Sequence, residues 1–460
     1  MKKAALLLIL LSACGKYQPD LPETEIPVSW KQTVQSDADF PQKNRFWELF
    51  NDPVLNDLEE EAIRANFDLQ IAMSRISEAR ALVKKEHAKT RPTADFNGYV
   101  EADETLINPR FFGSPHKLER VEQRQYNFLA YFGYELDLWG KLKAEETSAR
   151  HREEAAEWEY EFVYQNVVTE VATRYISLRT LEEEVLYLFQ AVEARKDTVD
   201  IYSCRSEAGC ESDLNLSSAR LELSLAEAQL EAARRLRTIE ENALALLLGR
   251  APSSWTLPIG TLPSAVPPVP AILPSEVVLR RADVQRELSL VAAGRSDVDV
   301  AIKDYFPSFP LTATLGLSSP ALKHLFEWQA RYWQYALNIL APLYDGGRRN
   351  AKVNLTKAAF KGAFASYQRT VNQAFQDVED ALSGIHYLRL QFDAQERALT
   401  AAQDTAYLAK DRFDSGLISY LLVSDTENTT LEVGRRTIAL KGEQILAWIR
   451  LMRALGVQSD

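Results

Sequence analysis

The chain has 460 residues and a formal net charge of −12, with 53 Lys and Arg against 65 Asp and Glu. A chain this acidic is a poor partner for nucleic acid, whose binding proteins present basic surfaces. The length is sufficient for more than one domain. After the first residues there is no continuous apolar run of transmembrane-helix length, so the sequence predicts that strands make any membrane crossing.

The first residues, MKKAALLLILLSAC, have the order of a secretory signal peptide, with two lysines, an apolar run and small residues that end at Cys14. LSAC followed by Gly15 resembles the lipobox of bacterial lipoproteins, in which the cysteine is lipidated and becomes the first mature residue. We therefore expect residues 1–13 to be removed, which leaves 51 basic against 65 acidic residues, or −14. Cys14 then begins a Pro-rich leader over residues 14–50. An ordinary signal peptide with a chance cysteine is the alternative.

The first half of the chain, residues 51–250, begins with one helix and two strands. Asp52 before Pro53 is a typical helix start, because Asp caps the first turn and Pro suits its first position. The predicted segments are, in order, a helix from Pro53 to about Thr90, a strand from Pro92 to Glu101, a polar loop over residues 102–125, and a strand from Tyr126 to Trp139.

The strand that begins at Tyr126 carries the strongest pattern in the sequence. Its apolar residues alternate with a mixed set that includes Glu135 and Asp137. Because successive side chains of a strand point to opposite faces, the pattern predicts lipid on one face and a wet interior on the other. At Gly140 the alternation stops and a long helical pattern begins.

The second half, residues 276–456, repeats this order. Gly347 and Gly416 each lie 207 residues after their counterparts Gly140 and Gly209. The repeat predicts a second helix, a second long helical hairpin and two further strands, over residues 309–317 and 333–343. The junctions between strands and long helices are marked by Gly140, Gly346 and Gly347.

A proline-rich linker over residues 251–275 joins the halves, and residues 457–460 form a C-terminal tail. Apolar residues recur at intervals of three and four from Tyr164 and again from Val371, close to the heptad pattern of long packed helices. The 69 residues from Gly140 to the matching tip glycine would extend about 100 Å as a helix. The expected fold is an α+β membrane protein whose helices are long enough to cross the periplasm. A soluble helical bundle with a small sheet is the alternative.

Five segments, taken in order and with their duplication, resemble the outer-membrane efflux protein family, the trimeric export ducts of tripartite pumps. The segments are FWELFNDPVLNDLEEEAIRANFDL, YELDLWGKLKAEETSAR, RRADVQRELSLVAAG with the later FPSFPLTATLGL, APLYDGGRRNAKVNL, and RFDSGLISYLLVSDTE. The resemblance implies a 12-stranded outer-membrane barrel formed by a trimer, with four strands per chain, continued by a long periplasmic α-helical barrel. Four strands cannot close a barrel alone, since a closed barrel needs about eight.

The resemblance implies as partners two further copies of the chain, a periplasmic adaptor protein, an inner-membrane pump and outer-membrane lipid, with no cofactor. The implied function is a passive conduit for small molecules or ions. With a lipobox in front, the chain is more similar to the lipoprotein branch that serves resistance-nodulation-division pumps. The alternatives are a type I secretion duct for proteins and, in a different class, a periplasmic coiled-coil adaptor or scaffold lipoprotein.

Two glycines, Gly209 and Gly416, are predicted to end the first helix of each long hairpin in a left-handed conformation. An arginine lies four residues before each of them, Arg205 and Arg412. The resemblance implies that these turns are the periplasmic tips, where the adaptor docks and the tube narrows to a gate. It also implies a carboxylate nine residues after the second glycine, which here is Asp425.

The gate motif is incomplete, because the second acidic position of some family members is Leu422 in this chain. Asn215 and Ser218 take the corresponding places in the first turn. A charged gate therefore depends on Asp425, which three copies would arrange as a ring of negative charge that favours cations.

Cys204 and Cys210 flank the first turn, and an exported protein meets an oxidising compartment, so a disulfide between them is predicted, with two free thiols as the alternative. The sequence predicts no metal site and no enzyme, since it has no pair of histidines at metal-ligand spacing, no phosphate loop and no nucleophile elbow. Acidic runs such as Glu182 to Glu184 are expected on a solvated helix face. The five histidines are His87, His116, His151, His324 and His386.

Overall fold

The computed structural model describes residues 27, 29–31, 45–107, 119–209, 212–263, 266–269, 277 and 281–456. The predicted signal peptide, the lipidation site Cys14, Cys210 and the tail over residues 457–460 lie outside the described residues.

Long helices and one group of strands make up the described chain. In chain order the elements are α1 (Pro53–Ala65), α2 (Phe67–Ala88), β1 (Thr93–Ile107), β2 (Glu119–Glu135), α3 (Lys141–Glu207), α4 (Asp213–Leu247), α5 (Ala282–Lys303), β3 (Pro310–Ser319), β4 (Arg331–Leu337), α6 (Arg348–Asp414) and α7 (Tyr420–Leu455). Short 3₁₀ helices lie at Phe46–Phe50, Pro252–Ser254, Leu322–His324 and Trp328–Ala330. The two longest helices, α3 and α6, have 67 residues each.

The described residues fold as two compact units. The sheet unit contains those within 77–155 and 287–366, and the hairpin unit contains the others. All four boundaries between the units fall inside helices, namely α2, α3, α5 and α6.

The sheet unit contains one antiparallel sheet with the strand order β1-β2-β3-β4. Phe96 of β1 pairs with Ala130 of β2, and Ala130 in turn pairs with Leu315 of β3. Leu315 pairs with Trp333 of β4. Each strand thus pairs with the next one in sequence, and the β2–β3 pairing joins the strands of the two halves of the chain.

The predicted polar loop over residues 102–125 is wrong at both of its ends. β1 continues to Ile107 and β2 begins at Glu119, and the two strands pair along this whole extension. The extension is mainly polar, and its apolar residues Ala102, Leu106, Ile107 and Val121 follow no period of two, so no alternation identifies it. Backbone hydrogen bonds between antiparallel strands are enough to form it.

β2 and β4 end earlier than predicted, at Glu135 and Leu337 instead of Trp139 and Leu343. Trp139 lies beyond the strand ladder, and its indole nitrogen donates a hydrogen bond to the carbonyl of Pro307 at 2.7 Å. The apolar alternation therefore continues past the point where the strands stop pairing.

The first predicted helix is two helices, because the chain is extended at Asn66, where ψ is 131°. The Asn66 side-chain oxygen accepts hydrogen bonds from the backbone of Asp68 at 2.8 Å and of Leu69 at 3.2 Å, which caps the start of α2. The Asn66 amide donates to the carbonyl of Leu247 at 2.9 Å. The Asn66 side chain thus lies between α1 and α2, caps the first turn of α2 and connects both helices to the end of α4.

The main core of the hairpin unit surrounds Trp448 of α7, which is fully buried. Its indole nitrogen donates to the carbonyl of Pro268, at 3.2 Å, and its ring meets Phe50 edge-on with 5.3 Å between centroids. Tyr175 of α3 and Leu244 of α4 belong to the same core. Helices α3, α4 and α7 are therefore held together with the 3₁₀ helix before α1.

The acidic run Glu182 to Glu184 does not lie on a solvated face, so that prediction is wrong. Glu182 is only 5% exposed. Its carboxylate accepts hydrogen bonds from Arg179 at 2.6 Å and from Arg237 at 2.9 Å and 3.1 Å. The backbone nitrogen of Gly260 also donates to it, at 3.1 Å. Two arginines and the linker backbone together satisfy this buried charge.

We name Arg179, Glu182, Arg237 and Glu241 the anchor network, because they hold the proline-rich linker against α3 and α4. Arg179 donates to the carbonyl of Pro258 at 2.8 Å. Glu241 accepts a hydrogen bond from the backbone nitrogen of Leu257 at 2.9 Å, and Arg237 donates to the carbonyl of Leu257 at 3.2 Å. A linker segment without regular structure is therefore fixed by hydrogen bonds to charged side chains.

Helices α3 and α7 approach closely at two glycines of α7. A Cβ atom at Gly434 would lie 2.1 Å from the Tyr187 hydroxyl, and one at Gly442 would lie 2.3 Å from the Thr180 hydroxyl. The remaining two residues of the acidic run form ion pairs across the same contact, Glu183 with Lys441 at 3.3 Å and Glu184 with Arg435 at 2.8 Å.

Candidate functional site: the sheet and the hairpin turns

The register of the sheet places most of the apolar residues of its four strands on one face. This face is uncovered within the described residues, with Phe96 71%, Trp333 68% and Tyr335 74% exposed. The residues of the apolar face are Ala94, Phe96, Gly98, Val100, Tyr126, Phe128, Ala130, Phe132, Tyr134, Leu311, Ala313, Leu315, Leu317, Trp333, Tyr335 and Leu337. The two-faced pattern predicted for one strand thus recurs in all four strands of the sheet.

The opposite face of the sheet is mainly polar. Ser318 donates a hydrogen bond to the Asn127 side chain at 2.6 Å, and Gln125 donates to Ser318 at 2.8 Å. Thr312 and Thr314 of β3 share this face, since neighbouring residues of a strand alternate. One face therefore suits hydrocarbon and the other suits water.

The outer edges of β1 and β4 pair with no other strand among the described residues. β1 is 15 residues long, so its unpaired edge presents a long row of backbone donors and acceptors. Long free edges of this kind pair readily with strands of another chain. The sheet of a single chain is thus open on both sides.

The junction glycines lie between the sheet and the long helices, all with positive φ. Gly140 has φ of 70° and precedes α3, and its carbonyl accepts a hydrogen bond from Lys303 at 3.0 Å. Gly346 and Gly347 have φ of 65° and 89° and precede α6. The Asp345 carboxylate accepts from the Gly347 backbone at 3.1 Å, which supports this tight turn.

A carboxylate at the end of α5 gathers three basic side chains near the junction. Asp304 lies 2.5 Å from the Lys141 ammonium and 3.5 Å from that of Lys352, and its carbonyl accepts from Arg349 at 2.8 Å. Partial desolvation acts to raise the pKa of Asp304, but the hydrogen bond from Lys141 and the nearby positive charges outweigh it. The pKa of this carboxyl lies below its usual value.

The first hairpin turn joins α3 and α4. Gly209 has φ of 70° and donates to the Ser206 carbonyl at 2.9 Å. Ser212 caps α4 by accepting a hydrogen bond from the backbone of Leu214 at 3.2 Å. Cys204 is exposed. Its proposed disulfide partner is not described, so the disulfide stays a prediction.

The second hairpin turn joins α6 and α7. Gly416 has φ of 75° and donates to the Phe413 carbonyl at 2.8 Å, and Leu417 donates to the Arg412 carbonyl at 2.9 Å. This pair of bonds is the Schellman arrangement, in which a glycine lets the chain reverse after a helix. The side chain of Arg412 is exposed, as is that of Arg205 near the first turn.

An aromatic cluster joins the two hairpins next to their turns. Tyr202 of α3 and Tyr420 of α7 are both buried, with ring centroids 4.7 Å apart. Phe413 meets Tyr420 edge-on at 6.0 Å. Burial, followed by the charges of Glu427 and Glu222, raises the pKa of Tyr420 to about 12. Tyr420 therefore remains a neutral packing residue at any physiological pH.

A polar cluster close to the aromatic one was not identified from the sequence. Arg195 of α3, 11% exposed at its side chain, donates to the Asn428 side chain of α7 at 2.5 Å and to the Glu222 carbonyl of α4 at 2.8 Å. We name Arg195, Glu222, Glu427 and Asn428 the turn tie. The sequence contains a signal for the burial of Arg195, because Arg195 follows the buried Leu188 and Val192 at the same spacing of four and three residues.

Glu427 of α7 lies in the turn tie with its carboxyl partly enclosed. Desolvation is the largest influence and raises the pKa of Glu427, and Glu222 raises it further. Lys410 and Arg195 act in the opposite direction without cancelling the shift. The carboxyl is thus held in a place that disfavours its ionised form.

Asp425, the predicted gate residue, lies in the second turn of α7 with an exposed side chain. Its backbone carbonyl accepts a hydrogen bond from Thr429 at 2.9 Å. Leu422 is 47% exposed, so an apolar side chain occupies the place of a second carboxylate. The structure does not bring Asp425 into the turn tie.

The described residues contain neither a metal-binding cluster nor a membrane-spanning helix. No group of three or more His, Cys, Asp or Glu side chains there lies close enough together to hold a metal ion. No helix in the described part of the chain combines the length and the apolar content needed to cross a membrane.

Comparison with known proteins identifies relatives along nearly the whole chain. The "Solvent efflux pump outer membrane protein SrpC" of Pseudomonas putida is 28% identical over 411 residues, 89% of this chain and 86% of the relative. The "Probable outer membrane lipoprotein SilC" of Salmonella typhimurium is 25% identical over 458 residues, 98% of this chain and 96% of the relative. Among solved structures, the CmeC outer membrane channel of Campylobacter jejuni has the same fold, with a TM-score of 0.88 at 22% identity, over 96% of this chain and 94% of that one.

A family model described as "Outer membrane efflux protein" matches residues 58–250 and 273–457. The two matched segments together contain every strand of the sheet and both hairpin turns. The chain therefore belongs to the outer membrane efflux protein family, which confirms the family and the outer-membrane location that the sequence predicts.

Proposed function

We propose that three copies of this chain form a channel through the outer membrane, with four strands from each copy closing a 12-stranded barrel above a long α-helical barrel. The observation that carries this proposal is the four-stranded sheet with an uncovered apolar face and two free edges. One copy cannot close a barrel, since about eight strands are the minimum. If β4 of one copy pairs with β1 of the next, the backbone donors and acceptors on every strand edge find hydrogen-bond partners.

The uncovered apolar face supports a place in lipid. An exposed apolar surface formed by aromatic and aliphatic residues of four adjacent strands would make a soluble protein associate or aggregate. In a bilayer the same face contacts acyl chains, while the polar face lines a water-filled interior. Lipid on one side and water on the other therefore accounts for both faces.

The channel would act as the passive outer-membrane component of a tripartite efflux system, connected by a periplasmic adaptor to an inner-membrane pump. The relatives named as efflux pump outer membrane proteins support this assembly and a cargo of small molecules or ions. The name of SilC supports a lipid anchor, which we propose is attached at Cys14.

The two hairpin turns are proposed as the periplasmic tips. Arg205 and Arg412 are exposed next to turns whose backbone is fixed by hydrogen bonds, and this suits a docking surface for the adaptor. Asp425 is exposed beyond the second turn, where three copies would form a ring of carboxylates at the gate. A carboxylate ring attracts cations and can hold neighbouring chains together through hydrogen bonds.

The test is single-channel recording of the purified full-length protein in a planar bilayer, with its oligomer mass measured in the same detergent. We expect a trimer that inserts and conducts in small, cation-preferring steps. A monomer that never inserts would overturn the proposal and favour a periplasmic scaffold.

The gate is tested separately with Asp425→Ala. Removing the carboxylate ring should raise single-channel conductance and weaken the preference for cations. Asp404→Ala is the control, since Asp404 is an exposed carboxylate on α6 of the same hairpin. Equal conductance in wild type and Asp425→Ala would mean that Asp425 is only a favourable charge near the start of a helix.

A further inference from the structure

A basic cleft lies in the sheet unit between the start of α3 and the end of α5. Its volume is about 330 Å³, and it begins at the junction residue Gly140. Three basic side chains line it, Lys143, Arg295 and Lys303, together with His151. Asp299 is the single carboxylate of its lining, so positive charge is in excess. We name this space the junction cleft.

The junction cleft differs from the neighbouring cluster around Asp304. There, Lys141, Lys352 and Arg349 surround one carboxylate, and a second carboxylate, Asp345, binds Arg349 at 2.9 Å. Those basic groups surround carboxylates of the protein, which gives them a structural role. In the junction cleft, Lys303 donates to the Gly140 carbonyl at 3.0 Å and Arg295 also has a partner within the protein, but the lining still holds three basic residues against one carboxylate. The cleft therefore has space and an excess of positive charge, which an anionic group of matching size would balance.

Aromatic residues next to the cleft indicate its depth relative to the proposed bilayer. Trp139 immediately precedes Gly140, and its ring stacks on Phe306 with 5.0 Å between centroids. Tyr305 is 47% exposed. Trp and Tyr concentrate at the boundary between hydrocarbon and headgroups. The cleft therefore begins where the apolar strands end and the long helices start.

We propose that the junction cleft binds the phosphate-bearing headgroup of an anionic phospholipid from the membrane leaflet on the helix side of the sheet. The inference rests on the proposed function, which places the sheet in the bilayer. A headgroup is favoured over free phosphate for two reasons. The cleft is larger than a phosphate ion needs, and the adjacent aromatic residues suit the start of the acyl chains. Basic pockets between helices at a membrane surface recognise lipid headgroups in this way.

The experiment is native mass spectrometry of the full-length protein in nonionic detergent, titrated with dioleoyl phosphatidylglycerol. Dioleoyl phosphatidylcholine and inorganic phosphate are titrated separately as comparison ligands. We expect one phosphatidylglycerol per chain to be retained at concentrations where phosphatidylcholine is lost. Lys143→Gln should weaken this binding about 5-fold, and Lys143→Gln with Arg295→Gln about 30-fold, since each basic residue near a lipid surface contributes about one factor of this size.

Lys361→Gln is the matched control, because it removes one positive charge from an exposed position of α6 outside the cleft and should leave binding unchanged. Equal retention of the two lipids, or equal binding by wild type and the double variant, would overturn the inference. Displacement of the lipid by inorganic phosphate at equal concentration would also overturn it and assign the cleft to free anions. A protein that conducts but shows no lipid preference would refute this inference alone, whereas one that never inserts would refute the proposed function.

Discussion

The anchor network and the turn tie are both ionic clusters that join helices of the hairpin unit, yet they differ in how well their charges are satisfied. In the anchor network, Glu182 receives hydrogen bonds from two arginines and a backbone nitrogen. In the turn tie, Arg195 is hydrogen-bonded to two helices, but the carboxyl of Glu427 is held where its charge is disfavoured.

The difference teaches where the hairpin unit is rigid and where it can change. A buried charge with all its partners is costly to disturb, because removal of one partner leaves the others unpaired. In the turn tie, desolvation disfavours the ionised form of Glu427, so the charges of this cluster are less fully satisfied than that of Glu182. The linker thus binds where the buried carboxylate is fully paired, and we expect the cluster near the turns to be the easier one to disturb.

The largest effect is expected from Glu182→Ala, which leaves Arg179 buried without its carboxylate and removes one of the two carboxylate partners of Arg237. The free energy of unfolding should fall by about 3–5 kcal/mol. Denaturant unfolding followed by circular dichroism measures it. Glu183→Ala is the control, because its ion pair with Lys441 is about one third exposed on both sides and should contribute less than about 1 kcal/mol. Equal losses in the two variants would remove the distinction between rigid and adjustable clusters.

An intermediate effect is expected from Arg195→Ala, which removes the hydrogen bonds from α3 to α4 and α7. The loss should be about 1–3 kcal/mol, because an Asn428 side chain and a carbonyl lose their partner. Amide hydrogen exchange should become faster near both hairpin turns and stay unchanged at the anchor network. Lys196→Ala, next in sequence and 48% exposed, is the control. Faster exchange throughout the hairpin unit would show that Arg195 supports the whole unit.

The smallest effect is expected from Glu427→Gln and depends on pH. The pKa of Glu427 is raised in the folded protein, so the folded state binds the proton more tightly than the unfolded state, whose Glu pKa is about 4.3. The contribution of Glu427 to the free energy of unfolding is therefore greatest at pH values below its pKa in the unfolded chain, and it falls as the pH rises through its pKa in the folded protein. The variant should gain stability relative to wild type at pH 8 and not at pH 4. Glu432→Gln, which removes a carboxylate from an exposed position of α7, is the control for the loss of a charge from this helix.

The features that the sequence predicted well depend on local patterns. Alternation around Phe128 identifies a two-faced strand, because the side-chain period of a strand is two residues. Gly209 and Gly416 were expected in left-handed turns because other residues rarely adopt that conformation. Asp52 was expected to cap α1, and it accepts hydrogen bonds from the backbone of Val54 at 2.9 Å and of Leu55 at 3.3 Å.

The features that the sequence did not predict depend on partners far away in the chain. The break at Asn66 is supported by Leu247, 181 residues later. The burial of Glu182 requires Arg237 and the backbone of Gly260. A run of glutamates has the same local pattern whether its partners are water or distant arginines. Spacing alone therefore cannot show whether the run is solvated or buried. The polar ends of β1 and β2 were missed because only backbone pairing identifies them.

The close contacts at Gly434 and Gly442 restrict how the hairpins can move. Tyr187 of α3 occupies the space above Gly434, and Thr180 occupies that above Gly442. Sliding α3 along α7 would push each of these side chains against the bulkier residues on either side of the glycine. The two glycines therefore fix the lengthwise register of α3 against α7, and any larger residue at either position would force the two helices apart.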